Sequence, residues 1–320
     1  FTVSGGTLSA WSGSGTTYTA TFTPTASSSG TASITSGVGA WTDLNGNPST
    51  AATALTMPFD TAVPTVSSLS SSTANGMYKA GAVIDISVVF SESVTVTTGT
   101  GTPTLLLETG TTDRAATYVS GSGTSTLTFR YTVQAGVNSA DLAQQSTSAL
   151  ALNGGVIADS LGNNATLTLP ATTAGATGSL STNAAIVIDT QAPSTPTNVT
   201  VTAVGGTVAA NALLASNTNM TSSATITAGQ ATGGYAELLL GSTVIATDSS
   251  ILIGDSTVSF DLGLSSAAAL QATIAASGDL TVRLYDAAGN VSTASAARSL
   301  AVDYVVPTVT ISSPRTAFTL

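Results

Sequence analysis

Two short signatures built on aspartate recur along this chain, and together they use six of its sixteen acidic residues. The first, D-x-x-G-N, occurs as Asp43-Leu-Asn-Gly-Asn47, Asp159-Ser-Leu-Gly-Asn163 and Asp286-Ala-Ala-Gly-Asn290. The second sets an aspartate four residues before a proline, as Asp60-Thr-Ala-Val-Pro64, Asp189-Thr-Gln-Ala-Pro193 and Asp303-Tyr-Val-Val-Pro307. The chemistry such residues can do is calcium ligation. Calcium takes about six to eight oxygens from carboxylates, amides and carbonyls in irregular loops, and glycine permits the sharp turn between ligands. The competing use is structural, because Asp and Asn also fix turns by accepting hydrogen bonds from nearby backbone amides.

Composition narrows the choice. The chain has no Cys and no His, which excludes disulfides, thiolate zinc sites, Ser-His-Asp triads and Cys-His dyads. Glu92, Glu108 and Asp113 could be imagined as an acid and base pair, but open solvated loops offer nothing to separate their pKa values, so no enzyme is expected. Sixteen acids against six bases give a net charge of −10, which repels nucleic acid and anionic lipid and attracts divalent cations. Lys79 is the only lysine. Softer metals find no preferred donor here, and magnesium demands a stricter octahedron with retained waters, so calcium is the expected ion. No unbroken apolar run approaches the roughly 20 residues of a membrane-spanning helix, and no membrane insertion is expected.

The elements that must position these residues are strands. Period-two alternation recurs at Tyr18–Phe22, Val83–Phe90, Thr126–Val133, Thr166–Leu169, Val258–Leu262 and Leu280–Tyr285, the pattern of half-buried antiparallel strands. Gly121-Ser-Gly123, Asn153-Gly-Gly155 and Gly233-Gly234 stand between them as turns. Only Ser265–Ala276, rich in Ala, reads as a short helix. Trp11, Trp41, Tyr118 and Tyr131 are expected in the core rather than on a sugar-binding face.

The fold class is therefore all-β, with tandem immunoglobulin-like antiparallel sandwiches joined by short Asp/Pro linkers. The linker aspartates are 129 and 114 residues apart, each one sandwich's worth of chain. The offset from the D-x-x-G-N Asp to the linker Asp is 17, 30 and 17 residues, the middle copy being lengthened by Ala171–Asn183. The expected segments are 1–62 (the later part of one domain), 63–191, 192–305, and 306–320 as the start of a further repeat. Strands of such a sandwich alternate in direction, so the loop before the last strand shares a pole with the incoming linker. That places Asp159 and Asn163 near Asp60, and Asp286 and Asn290 near Asp189. Glu92, read as lying in the loop after the second strand, joins the first set, and Asp141 could reach the second from the opposite pole. Asp43, Asn47 and Asp303 complete the candidate metal ligands as the remaining copies of the signatures.

The middle segment carries a family resemblance. Gly76-Met-Tyr-Lys-Ala-Gly81, Ile84–Glu92, Thr102–Glu108, Tyr118–Gly123, Leu127–Tyr131 and Asp159–Asn163 resemble the bacterial Ig-like, cadherin-like repeats of giant surface adhesins and of a cyanobacterial swimming-motility surface protein. The match spans most of residues 65 to 190. Residues Phe1–Gly6 and Tyr18–Pro24 and the other D-x-x-G-N copies resemble bacterial Ig-like repeats more broadly. This resemblance implies secretion to the bacterial cell surface, structural Ca2+ at domain junctions, and a role in adhesion, biofilm cohesion, or filament and surface-layer building. By position it implies the ligands Asp60, Glu92, Asp159, Asn163 and Asp189, with Asp286 and Asn290 after them. The expected function is a non-enzymatic, calcium-stiffened spacer. The alternatives are a self-assembling filament or surface-layer subunit and a carbohydrate-binding accessory module. Expected partners are other copies or neighbouring repeats, with cell-surface or matrix ligands met through other domains and no nucleic acid.

Overall fold

The computed structural model describes residues 1–312 of the chain, so the last part of the expected repeat at 306–320 lies outside the described residues. The regular secondary structure is nearly all antiparallel strand, with two short helices among the described residues. It divides into two compact units. One comprises Phe1–Gly76, Val83–Thr132 and Asp141–Ile186; the other comprises Met77–Ala82, Val133–Ala140 and the chain from Val187 onward.

In the first unit the organising element is the strand Val83–Thr97. Its sequence alternates apolar and polar residues, and it buries Ile84, Ile86, Val88 and Phe90 while the residues between them stay partly exposed. It pairs antiparallel with Thr124–Thr132, setting Ile84 opposite Tyr131, Ile86 opposite Phe129 and Val88 opposite Leu127. On its other edge Val66–Ser71 pairs with it, Leu69 facing Val88. Both ladders shift register after Val89, so the strand is irregular through Phe90–Ser93 before it resumes at Val94. Arg114–Ser120 and Thr104–Glu108 extend the sheet. The turn before Thr124–Thr132 requires Gly121: its φ is 106°, and a Cβ there would fall 2.1 Å from the Thr126 carbonyl oxygen. On the outward face Arg130 donates to both carboxylate oxygens of Asp85 at 2.7 Å, directly across the ladder.

Residues 1–62 form a three-stranded antiparallel sheet of Thr2–Ser4, Ser29–Thr35 and Leu55–Asp60, with two small hairpin pairings beside it. Within this stretch only Ala32 and Ser36 are buried. The expected strand Tyr18–Phe22 is divided between Thr17–Thr19 and Phe22–Pro24. Trp11 and Trp41 are not core residues: they are 44% and 49% exposed and gather around Phe1, with ring centroids 4.6 and 5.4 Å away. Tyr131 is core, and Tyr118 is half-buried against Phe129. Thr166–Leu169 is not a strand either. Thr166 makes a single bridge to Thr65, and the chain then leaves the sheet to bury Leu169.

The second unit is a sandwich. Thr197–Val204, Asn219–Thr225 and Thr257–Asp261 make one sheet. Ala212–Leu214, Arg298–Asp303, Gly278–Tyr285, Tyr235–Leu240 and Thr243–Asp248 make the other, its first pair parallel. Leu213, Met220, Leu238, Phe260 and Val282 fill the space between them. The helix expected at Ser265–Ala276 forms over Ala267–Thr273. Ser266 caps it by accepting from the Ala269 N–H, and Leu270 anchors it in the core.

Candidate metal centre

All three D-x-x-G-N segments fold into the same loop. Asp43, Asp159 and Asp286 each accept the backbone N–H of the asparagine four residues on at Oδ1, every time at 2.9 Å. Each accepts the asparagine side-chain N–H at Oδ2, at 2.8, 2.6 and 2.9 Å. In each loop the aspartate N–H also donates to the asparagine carbonyl, closing the turn at 3.1 Å. The glycine between them has φ of 82°, 93° and 83°, the left-handed region in which a Cβ is strained, so this position calls for Gly. Turn chemistry therefore accounts for the motif's residue types, whatever else the loop does.

The surroundings distinguish the copies. The Asp43–Asn47 loop is exposed throughout. Asp159 and Asp286 are only 6% exposed, and in these two copies the asparagine amide makes one further bond, to the backbone of a linker aspartate. Asn163 donates to the Asp60 carbonyl at 3.2 Å, and Asn290 to the Asp189 carbonyl at 2.9 Å. Each of these two loops thus clasps the backbone of the aspartate that the spacing pairs with it. The linker aspartates share a habit of their own: Asp60, Asp189 and Asp303 each accept the N–H two residues on, from Ala62, Gln191 and Val305, at 2.9, 3.0 and 3.1 Å.

Around the first clasp the acids converge. Carboxylate oxygens of Asp60, Glu92 and Asp159 all lie within 4.8 Å of one another, and this is the one such group of three among the described residues. Glu92 is not in a loop, as the sequence suggested. It lies inside the strand Val83–Thr97, within the irregular stretch and two residues past the buried Phe90. By the strand's parity it continues the inward row of Ile84, Ile86, Val88 and Phe90, and it is half-buried. A carboxylate there is partly dehydrated and set beside two others. Burial, then the charges of Asp60 and Asp159, push the Glu92 carboxyl above its ordinary value. Burial raises Asp159 too, but the hydrogen bonds from the Asn163 side chain and from the Asn163, Leu161 and Gly162 backbone outweigh it, and its carboxyl is held below the usual range.

These residues fit a calcium ion. Two oxygens on one calcium, each about 2.3–2.6 Å from it, can stand as far as about 5 Å apart, which admits the separations found. Asn163 spends its side-chain N–H groups on Asp159 and Asp60, so Oδ1 is the atom it can offer a cation. The remaining candidates do not join the group. Asp141 is exposed, as are Asp43 and Asn47. Asp303 sits in its own turn with Val305. Asp189, Asp286 and Asn290 come together without a third acid. A long-range contact that sequence spacing could not disclose is found there instead: Lys79, 210 residues away along the chain, donates to the Gly289 carbonyl at 2.8 Å.

The fold is all-β, built of antiparallel sheets, and its second unit is a two-sheet sandwich. Residues 1–58 match the family described as Bacterial Ig-like domain. Twenty solved chains match; one belongs to a structure described as giving insight into host cell surface retention of a 1.5-MDa bacterial ice-binding adhesin. That chain is 18% identical, with 86% of this chain and 74% of that chain covered and a TM-score of 0.33. No curated protein matches. Among the described residues no helix is long and apolar enough to cross a membrane.

Proposed function

We propose that this chain is a non-enzymatic repeat segment of a secreted bacterial surface protein, a spacer whose linker at Asp60 is stiffened by calcium held by Asp60, Glu92, Asp159 and Asn163. On this reading 1–62, 63–191, 192–305 and 306–320 are successive repeats or parts of them. The observation that carries it is Glu92, a half-buried carboxylate on the inward row of a strand, facing two further carboxylates and making no ion pair among the described residues. Such a cluster costs stability unless a cation offsets it. The loop that supplies Asp159 also grips the linker backbone through Asn163, so an ion bound there would tie the linker to the sandwich. The match of residues 1–58 to a bacterial Ig-like domain supports the surface-repeat part of the reading.

Calcium titration with EDTA reversal tests it. At a free concentration 100 times Kd, an ion held only by the folded state adds about 2.7 kcal/mol, and each kcal/mol raises the melting temperature by roughly 2–8 °C. Small-angle scattering should show a narrower spread of dimensions with calcium than with EDTA. Unchanged melting and unchanged scattering would reduce the aspartate signatures to turn chemistry.

The carbohydrate-binding alternative has one observation in its favour, the exposed cluster of Phe1, Trp11 and Trp41. Titration with soluble polysaccharides decides that reading: a saturable shift of tryptophan emission supports it, and flat emission removes it.

A further inference from the structure

The two clasps share one backbone frame but differ in charge. In the first, the residue after the linker proline, Thr65, donates its N–H to the Ser91 side chain, and the next residue is Glu92. In the second, the residue after the linker proline, Ser194, donates its N–H to Oε1 of Gln230 at 2.8 Å. By this bond Gln230 stands where the first clasp has Ser91, and the residue after it is the buried Ala231 where the first clasp has Glu92. The first clasp gathers three carboxylates, and none of them pairs with a side-chain cation among the described residues. The second has two, Asp189 and Asp286, and its loop carries the Lys79 ammonium on the Gly289 carbonyl. Lys79 forms no ion pair within 4 Å among the described residues, so it offers its charge to the loop's carbonyl edge rather than to one carboxylate.

We infer that Lys79 supplies from within the chain the positive charge that stabilises the Asp286–Asn290 loop, so that this loop's grip on the Asp189 carbonyl needs no metal. The contrast with the first clasp rests on the proposal that Asp60, Glu92 and Asp159 take calcium. A lysine suits the task because its flexible stem carries a compact charge with three donors. The protein then has one ion-sensitive clasp and one that holds at any calcium concentration.

Hydrogen exchange of the full chain tests this, followed at the Asn163 and Asn290 amides, each bonded to its loop aspartate. In the wild type, EDTA should speed exchange at Asn163 and leave Asn290 unmoved. Lys79→Met should speed exchange at Asn290 about two- to fivefold, the range for losing one exposed charged contact, with calcium or without it. Lys79→Arg should restore protection. The inference fails if Lys79→Met leaves Asn290 unchanged, or if EDTA loosens Asn290 as much as Asn163 in the wild type. If EDTA moves neither amide while Lys79→Met loosens Asn290, the calcium reading of the first clasp falls and the assignment of Lys79 stands.

Discussion

Glu92→Gln should act in opposite directions with and without calcium. In EDTA near neutral pH the variant should melt higher than the wild type, because it removes a half-buried charge set against Asp60 and Asp159. In calcium it should bind the ion at least about tenfold more weakly, since losing even a group that only orients a ligand costs roughly 10–100-fold in metal affinity. A destabilised variant in EDTA would mean that Glu92 serves the fold through a contact of its own, and unchanged affinity would remove it from the ligand set. Melting in both conditions, with calorimetric titration, separates these results.

The pH profile of the ion-free protein carries the same signature. The folded-state pKa of Glu92 is raised above its ordinary value of 4.5. Between the two values the native state binds more protons than the unfolded chain, so stability falls as pH rises through this window and the penalty persists above it. Asp159 runs the other way. Its folded pKa is below the ordinary 3.8, so the stability it contributes is present above that value and is lost as pH falls. Asp141 is raised as well, by burial, and adds to the same limb as Glu92. Glu92→Gln should therefore make the ion-free protein's loss of stability above about pH 4.5 shallower without abolishing it, and should leave the acid limb where it was.

How much of this was legible in the sequence differs from residue to residue. The loop-to-linker clasps were legible because D-x-x-G-N and the linker aspartate recur, and sandwich topology fixes which pole each occupies. Asn163 and Asn290 do meet the Asp60 and Asp189 backbones. Glu92 was named as a ligand on a mistaken placement. Its real signal is the parity of Ile84, Ile86, Val88, Phe90 and Glu92, an acid in an apolar row. Trp11 and Trp41 read as core because alternation near them suggests a packed strand, but alternation says which side a residue faces, not whether anything covers that side. Thr166–Leu169 has the strand alternation yet forms only an isolated bridge, since a strand needs a partner edge and this segment pairs only at Thr166. The Lys79 contact spans 210 residues and leaves no local trace in either stretch of sequence.

The core and the clasp should be separable, and Phe129→Ala shows how. Phe129 is fully buried, faces Ile86 across the ladder and meets the edge of the Tyr118 ring at 5.9 Å. Truncating it should cost about 3–5 kcal/mol of unfolding free energy, while Phe129→Leu, which leaves less empty space, costs less. Ile86 is separated from the irregular stretch that holds Glu92 by the regular strand up to Val89, about 10 Å at roughly 3.3 Å per residue, and changes more than about 7–10 Å apart add independently. The calcium gain of about 2.7 kcal/mol at 100 times Kd should therefore be the same in both variants as in the wild type, so that calcium offsets most of the Phe129→Ala loss without repairing the core. Urea unfolding in calcium and in EDTA measures both quantities. Should the gain vanish in Phe129→Leu while the protein remains folded, the position of Glu92 is set by the register of the whole strand rather than by its local irregularity. In that case the metal centre extends through the packing of Ile86 on Phe129, and a change in the core would alter the stiffness of the linker.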